Sequence, residues 1–286
     1  MASLRQLGLM GKAHRPQLVR YSRCNPMTVT VRFAAAAFAV VVLLGGGVNT
    51  HAELADTIER VKTAVVGVGT YESTRRPPAQ FRGTGFAVDN GRRIITNAHV
   101  LPKSVNSARR EYLAVFQRRG DRLEARKAQR IGLDRVHDLA VLEIKGAPFP
   151  SLKIATSEHV REGGLYAFTG FPIGAILGLY PVTHRGIISA ITPIAIPVDH
   201  SRQLDARMIK SLRSPFRVYQ LDATAYPGNS GSPLYDPQSG TVIGVINKVF
   251  VKATKEAALA AAIEQPSGIS YAVPSIYIRK LLDRLD

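Results

Sequence analysis

The stretch TAYPGNSGSPLYD, residues 224–236, sets Ser230 among Gly228, Asn229, Gly231 and Pro233. Gly and Asn tolerate positive φ and Pro fixes its own, so the stretch is turn chemistry on any reading. Ser230 is then either an ordinary turn residue or a nucleophile. A serine hydroxyl attacks a carbonyl only when a base takes its proton and a third group orients that base. Histidines stand at 14, 51, 99, 137, 159, 184 and 200, all before Ser230. That order excludes the succession serine, acid, histidine, and G-N-S-G-S is not the G-x-S-x-G of a strand-to-helix nucleophile elbow. The order histidine, aspartate, serine is left.

His99 fits it. It follows the apolar run in RRIITNAHVLP, where a side chain can enter a cleft while its backbone stays anchored. Taken alone, it is equally a surface histidine after a strand. Asp138 heads the apolar run in DRVHDLAVLEIK. It is either a strand cap or the carboxylate that orients an imidazole and stabilises the imidazolium. His137 beside it points to the opposite face if the strand begins there, because neighbouring side chains alternate.

The elements that must position these residues are short. From residue 60 onward, Val- and Ile-rich runs are separated by Gly, Pro, Asn and Asp, at 63–71, 83–89, 92–97, 111–116 and 138–144, then 164–170, 182–191, 216–223, 240–250 and 269–273. Runs of this length with turn signals between them predict an all-β sandwich or barrel. Two helices are expected as well. One is the Ala-rich 254–265, ending before Pro266, and the other is 274–285, with Ile276, Ile278, Leu281, Leu282 and Leu285 along one stripe.

Taken together, GTGFAVDNGRRIITNAHVL, HDLAVLEI and QLDATAYPGNSGSPL resemble the signature blocks of the trypsin-like serine proteases, and within them the HtrA/Deg branch. The likeness continues through GFPIG, VTHRGIISAI, GTVIGVIN and GISYAVP, in consistent order over roughly residues 60 to 285. It implies two six-stranded antiparallel β-barrels of the chymotrypsin type, one over about 56–160 and the other over about 161–273, with a closing helix at 274–285. It also implies peptide-bond hydrolysis of polypeptide substrates, without a cofactor or metal, by His99 as base, Asp138 as its orienter and Ser230 as nucleophile. The backbone N–H groups of Gly228 and Ser230 would form the oxyanion hole. The rival class is a chaperone or binding module on the same fold whose triad is not assembled.

By the same resemblance Thr224, Ala225 and Tyr226 form one side of the pocket for the substrate side chain before the scissile bond, with Val245, Ile246 and Asn247 opposite. None of the six is charged, so a substrate Lys or Arg would be buried unpaired, and small or medium aliphatic side chains are expected there. Lys248 would select Asp or Glu instead if its strand register aimed it inward.

The sequence departs from the family in several places. Asn229 replaces the Asp that pairs with a freshly cut N-terminus in digestive relatives, which counts against that mode of activation. Ser232 stands where HtrA proteins usually have Gly. The resulting GNSGSP also occurs in glutamyl endopeptidases, but those bind the substrate carboxylate with a histidine after the serine, and none follows Ser230 here. The sequence stops 12 residues after Pro274, so no PDZ domain is expected to follow the protease. The 254–265 stretch is either a lid over the specificity pocket or an inert insertion.

The formal net charge is +17 over 286 residues. Residues 1–52 carry Arg5, Lys12, Arg15, Arg20, Arg23 and Arg32 and no acid, and include an apolar run from Phe33 to Val48 followed by Thr50 and Ala52. The run is shorter than the ~20 residues needed to span a bilayer. It reads as a signal peptide over 1–52, with a true start at Met27 making an ordinary n-region, and a mature chain over 53–286. Cys24, the one cysteine, then lies outside the folded product, which would be periplasmic or extracellular. Between Lys103 and Arg135, ten basic residues face Glu111, Asp121, Glu124 and Asp134. This region is a solvated basic face or a contact for a polyanion or an anionic membrane surface. No nucleic-acid motif accompanies it. Oligomeric state is not legible.

Overall fold

The computed structural model describes residues 50–156, 160–174, 178–194, 216–247 and 268–286. The expected signal segment up to residue 49 with Cys24, His159, His200, Lys248 and the 254–265 stretch lie outside the described residues.

Helix α1 (Thr50–Ala64) leads into barrel one, built from β1 (Val65–Tyr71), β2 (Ala79–Val88), β3 (Arg93–Asn97), β4 (Tyr112–Arg119), β5 (Arg122–Asp134) and β6 (Leu139–Ile144). Barrel two comprises β7 (Leu165–Gly170), β8 (Val182–Ile194), β9 (Phe216–Asp222), β10 (Pro233–Tyr235), β11 (Val242–Asn247) and β12 (Ile269–Pro274), and helix α2 (Ser275–Leu282) follows it. Both sheets are closed, in the orders β1-β2-β3-β6-β5-β4 and β10-β11-β12-β9-β8-β7, so the expected pair of six-stranded antiparallel barrels is present. Closure leaves no sheet edge unpaired, which is how an all-β protein avoids exposing a row of backbone donors and acceptors.

Strands buried on both faces explain the unbroken apolar runs in the sequence. On β6, Ala140, Leu142 and Ile144 enter the cluster with Val66, Val68 and Val115 of barrel one, whereas Leu139 and Val141 join a second cluster with Val245 and Val273 of barrel two. That second cluster joins the barrels and takes in Val61 of α1 and Ile278, Leu281 and Leu282 of α2. A third, around Phe168, Leu221, Leu234 and Ile246, belongs to barrel two.

Three elements differ from the expectation. Helix α1 occupies residues 50–64, so Thr63 and Ala64 close a helix rather than open a strand. Its Thr57, Val61 and Ala64 are buried on one stripe, and Thr57 Oγ1 donates to the Gln238 carbonyl at 3.0 Å. Strand β5, RLEARKAQRIGLD, buries only Ala128 and Gly132 and carries no apolar alternation, yet its backbone pairs with β4 on one side and β6 on the other. Strand β10 has three residues, too few to show a period. Among the described residues, no helix is long and apolar enough to cross a membrane.

Candidate active site

Strand β3 ends at Asn97, and a single 3-10 turn, Ala98–Val100, carries His99 out of the sheet. Asp138 sits in the turn before β6 with φ +54°, a left-handed conformation that Asp tolerates better than most residues. The two turns are tied together. The Asp138 carbonyl accepts from the Ala98 N–H and from Asn97 Nδ2, both at 3.0 Å. Its carboxylate accepts from the His99 N–H at Oδ1 (2.9 Å), and Oδ2 meets both His99 Nδ1 (2.5 Å) and Asn247 Nδ2 (2.7 Å). A carboxylate so placed keeps the proton on Nδ1 and leaves Nε2 as the basic nitrogen.

His137 and Asp138 do face different partners, but both lie within the turn between β5 and β6 rather than alternate along a strand. His137 Nδ1 bonds Asp134 Oδ2 at 2.8 Å, and its ring stacks on Tyr277 at 3.9 Å and meets Phe216 edge-on at 4.8 Å. Asp134 Oδ1 accepts the Val136 and His137 N–H groups, and Oδ2 also accepts Arg284 Nη2 at 3.1 Å. Burial alone would raise the Asp134 carboxyl. Hydrogen bonds from the His137 ring and backbone, the His137 charge and the Arg284 hydrogen bond outweigh it and hold the group well below the usual carboxylate range.

Ser230 lies between β9 and β10 and is 7% exposed. A Cβ built on Gly83 of β2 would stand 2.6 Å from a Val100 methyl and 2.9 Å from the Ser230 carbonyl oxygen. The residue after His99 and the backbone of Ser230 therefore close on one point of β2. The Ser230 hydroxyl makes no hydrogen bond among the described residues, to His99 or to any other. Gly228 has φ +100°, and a Cβ there would collide with the Phe171 carbonyl, so glycine is required. In the segment 228–232 the N–H groups of Asn229, Gly231 and Ser232 are bonded to Tyr226, Ile246 and Asn229 carbonyls. Those of Gly228 and Ser230 have no acceptor among the described residues.

The six residues expected to line the substrate pocket separate. Thr224 and Tyr226 are half-buried on the loop before Ser230. Ala225, 7% exposed, donates its N–H to Ser270 Oγ at 2.8 Å. Val245 and Ile246 are fully enclosed, in the inter-barrel and barrel-two clusters respectively, because β11 is buried on both faces. Their side chains are core, and Asn247 serves the Asp138 carboxylate. Beneath Tyr226, the His184 ring stacks on Phe168 at 4.9 Å and lies 6.0 Å from the tyrosine ring, and burial lowers its pKa. Thr84, Asn97 and the Asp134–His137 pair were not singled out for this site from sequence. Only the glycines around Thr84 in GTGF hinted that two backbones meet there.

A family model described as a trypsin-like peptidase domain matches residues 83–245. The serine protease HTRA2, mitochondrial, of Bos taurus is 31% identical over 235 residues, covering 81% of this chain and 43% of that protein. A "Probable periplasmic serine endoprotease DegP-like" of Halomonas elongata is 31% identical over 203 residues, covering 71% of this chain and 35% of that protein. The chain thus spans less than half the length of these curated relatives. Among solved structures, the serine endoprotease from Yersinia pestis has the same fold, with a TM-score of 0.55 and 24% identity over 81% of this chain and 66% of that one.

Proposed function

The chain belongs to the trypsin-like peptidases, and from that premise we propose that it is a serine endopeptidase acting through His99, Asp138 and Ser230. Ser230 Oγ attacks the scissile carbonyl carbon as His99 Nε2 takes its proton, and Asp138 stabilises the imidazolium that forms. The oxygen that becomes negative faces the Gly228 and Ser230 N–H groups. Collapse expels the amine, which takes the proton from His99 and leaves an acyl-enzyme on Ser230. Water, deprotonated by His99, then attacks the ester and restores the serine. The observation that supports this reading best is the pair of unengaged N–H groups beside Ser230.

A fluorophosphonate probe tests it. Modification of Ser230 in the wild type, absent in Ser230→Ala, is expected. Failure to label under any condition favours the second reading, a chaperone or binding module with an unassembled triad, which draws on the missing hydrogen bond between Ser230 and His99. Such bonds commonly tighten only when substrate binds, so the enzyme is the stronger reading.

Substrates in this reading are polypeptides cut after Val, Ala, Ile or Leu, because Thr224, Ala225 and Tyr226 bring no charge to the loop before Ser230. Cleavage-site profiling of a denatured protein mixture checks this, and acidic residues before the cut would overturn it. The DegP-like relative is described as periplasmic. That description, with the apolar run at 33–48, supports export and a mature N-terminus near Glu53, readable by mass spectrometry of the exported protein.

A further inference from the structure

We propose that Thr84, on β2 of barrel one, is the positioning residue that holds the oxyanion hole open; the inference rests on the peptidase reading above. A trans peptide unit is planar, so its N–H points opposite to its C=O, and fixing one direction fixes the other. Four successive carbonyls of the nucleophile loop are engaged. Pro227 O accepts the Ile173 N–H at 2.7 Å, Gly228 O accepts Thr84 Oγ1 at 2.7 Å, Asn229 O accepts the Ser232 N–H at 3.0 Å and Ser230 O accepts the Thr84 N–H at 2.8 Å. The hole's two donors share peptide units with Pro227 O and Asn229 O. Thr84 holds the next carbonyl after each, Gly228 O through its side chain and Ser230 O through its backbone, and so fixes the adjoining peptides.

The same hydroxyl accepts the Phe171 N–H at 3.1 Å. Phe171 begins the short segment whose Ile173 holds Pro227, so Thr84 Oγ1 joins three pieces of chain: β2, residues 171–173 and the nucleophile loop. The Thr84 carbonyl is itself held by Thr96 Oγ1 at 2.7 Å, two residues before the turn that carries His99. Thr84 is fully buried, so no water replaces the hydroxyl without a rearrangement. Without it, Gly228 O loses its donor and the segment holding Pro227 O loses its tie to β2. The Pro227–Gly228 peptide, its carbonyl still on the Ile173 N–H, can then turn together with that loosened segment about the permissive glycine. Rotation turns a carbonyl oxygen toward the place where the substrate oxygen becomes negative, and two like partial charges meet there.

Such a loss acts on the transition state and not on substrate binding, so kcat and KM separate the effect from general damage. Thr84→Val keeps the shape and removes the hydroxyl, whereas Thr84→Ser keeps the hydroxyl. The probe is a fluorogenic peptide with valine before the scissile bond. Removing an oxyanion-hole donor outright costs about 10²–10³ in kcat; displacing one is expected to cost Thr84→Val about tenfold or more, with KM within about twofold of wild type. Thr84→Ser is expected to recover most of the rate. The affinity of a peptidyl trifluoromethyl ketone, whose hemiketal oxygen occupies the hole, should fall in parallel with kcat.

If Thr84→Val yields no folded protein, Thr84→Ala and Thr84→Ser, which both lack the methyl group, supply the same comparison. Equal kcat for the variants with and without the hydroxyl, or a loss confined to KM, overturns the proposal. Ser230→Ala measured alongside separates the two claims: an active Ser230→Ala protein refutes the peptidase reading itself, whereas an inactive one beside an unimpaired Thr84→Val refutes only the role of Thr84.

Discussion

Asn247, the last residue of β11, donates its side-chain amide to Asp138 Oδ2 at 2.7 Å, the same oxygen that His99 Nδ1 meets at 2.5 Å. The acid beside the histidine belongs to barrel one, yet one of its donors comes from barrel two. A hydrogen bond to a charged group contributes about 1.5–3 kcal/mol, so Asn247→Ala should lower stability by that amount in urea unfolding. Activity should fall more steeply than stability, because the carboxylate also sets the orientation of the ring. An Asn247→Ala protein with wild-type midpoint and wild-type turnover would show that the contact is incidental.

Asp134 should make the fold sensitive to acid. Its folded-state pKa is depressed, so its contribution is complete above the unfolded value, ~3.9, and is lost as pH falls toward the folded value. Asp134→Asn keeps an oxygen for the Val136 and His137 N–H groups but carries no charge toward His137 and Arg284. The stability gap between wild type and Asp134→Asn, measured by urea unfolding, should be widest near neutrality and shrink below about pH 4. A gap that stays constant down to pH 2.5 would place the effect in shape and not in charge.

Asn229 is fully buried, and neither polar atom of its side chain has a hydrogen-bond partner among the described residues. Asn229→Asp would put a carboxyl there with no hydrogen-bond partner among the described residues. Its folded pKa would rise above the unfolded value, so destabilisation grows as pH climbs through that value and is small below it. A buried charge left without a partner typically costs about 3–5 kcal/mol. Thermal unfolding at pH 4 and pH 7 checks it; an Asn229→Asp protein as stable at pH 7 as the wild type would reveal a cation within reach.

The basic face of barrel one is partly satisfied from within. Arg118 lies over the exposed Tyr180 ring at 4.4 Å and Arg119 stands 3.7 Å from Glu124. If the remaining charge binds polyanions, replacing Arg109, Arg110, Arg118 and Arg119 by Gln should abolish retention on heparin and leave peptide cleavage intact. Retention of the wild type should fall steeply with salt, since exposed charges are screened beyond ~8 Å at physiological ionic strength. Unchanged retention of the variant returns the region to a solvated face.

His99 and Asp138 were legible as candidates because each stands at the edge of an apolar run, and Ser230 because Gly228, Asn229, Gly231 and Pro233 mark a turn around it. The barrel class was legible because runs such as 138–144 are apolar on both faces. Strand β5 was not, since Arg122, Arg126, Lys127 and Arg130 give no alternation; its backbone is held by β4 and β6 and its side chains need only stay in solvent or, like Arg126, cross a ring. Val245 and Ile246 were placed in a pocket because an apolar run does not tell which enclosed surface it serves. The bond from Asn247 to the acid was not legible either: a donor to a carboxylate 109 residues away has no local signature. The two unengaged N–H groups beside Ser230 follow from how four carbonyls are used, which only the folded chain shows.

Arg284 reaches Asp134, where β5 enters the turn that carries Asp138, Asp286 pairs with Arg93 of β3, and a Cβ on Gly132 of β5 would lie 3.1 Å from Leu285. A polypeptide emerges from the ribosome amino end first, and its domains tend to fold in that order. All six strands of barrel one are therefore out before barrel two is begun, while the brace for its aspartate turn is synthesised after Ser230 and every strand of barrel two. Deleting residues 283–286 should leave both barrels formed but lower turnover with little change in KM, and full turnover in the shortened chain would discount the brace. A chain that has just reached its nucleophile therefore still lacks the contact that steadies its acid, so order in the first barrel is completed from beyond the second.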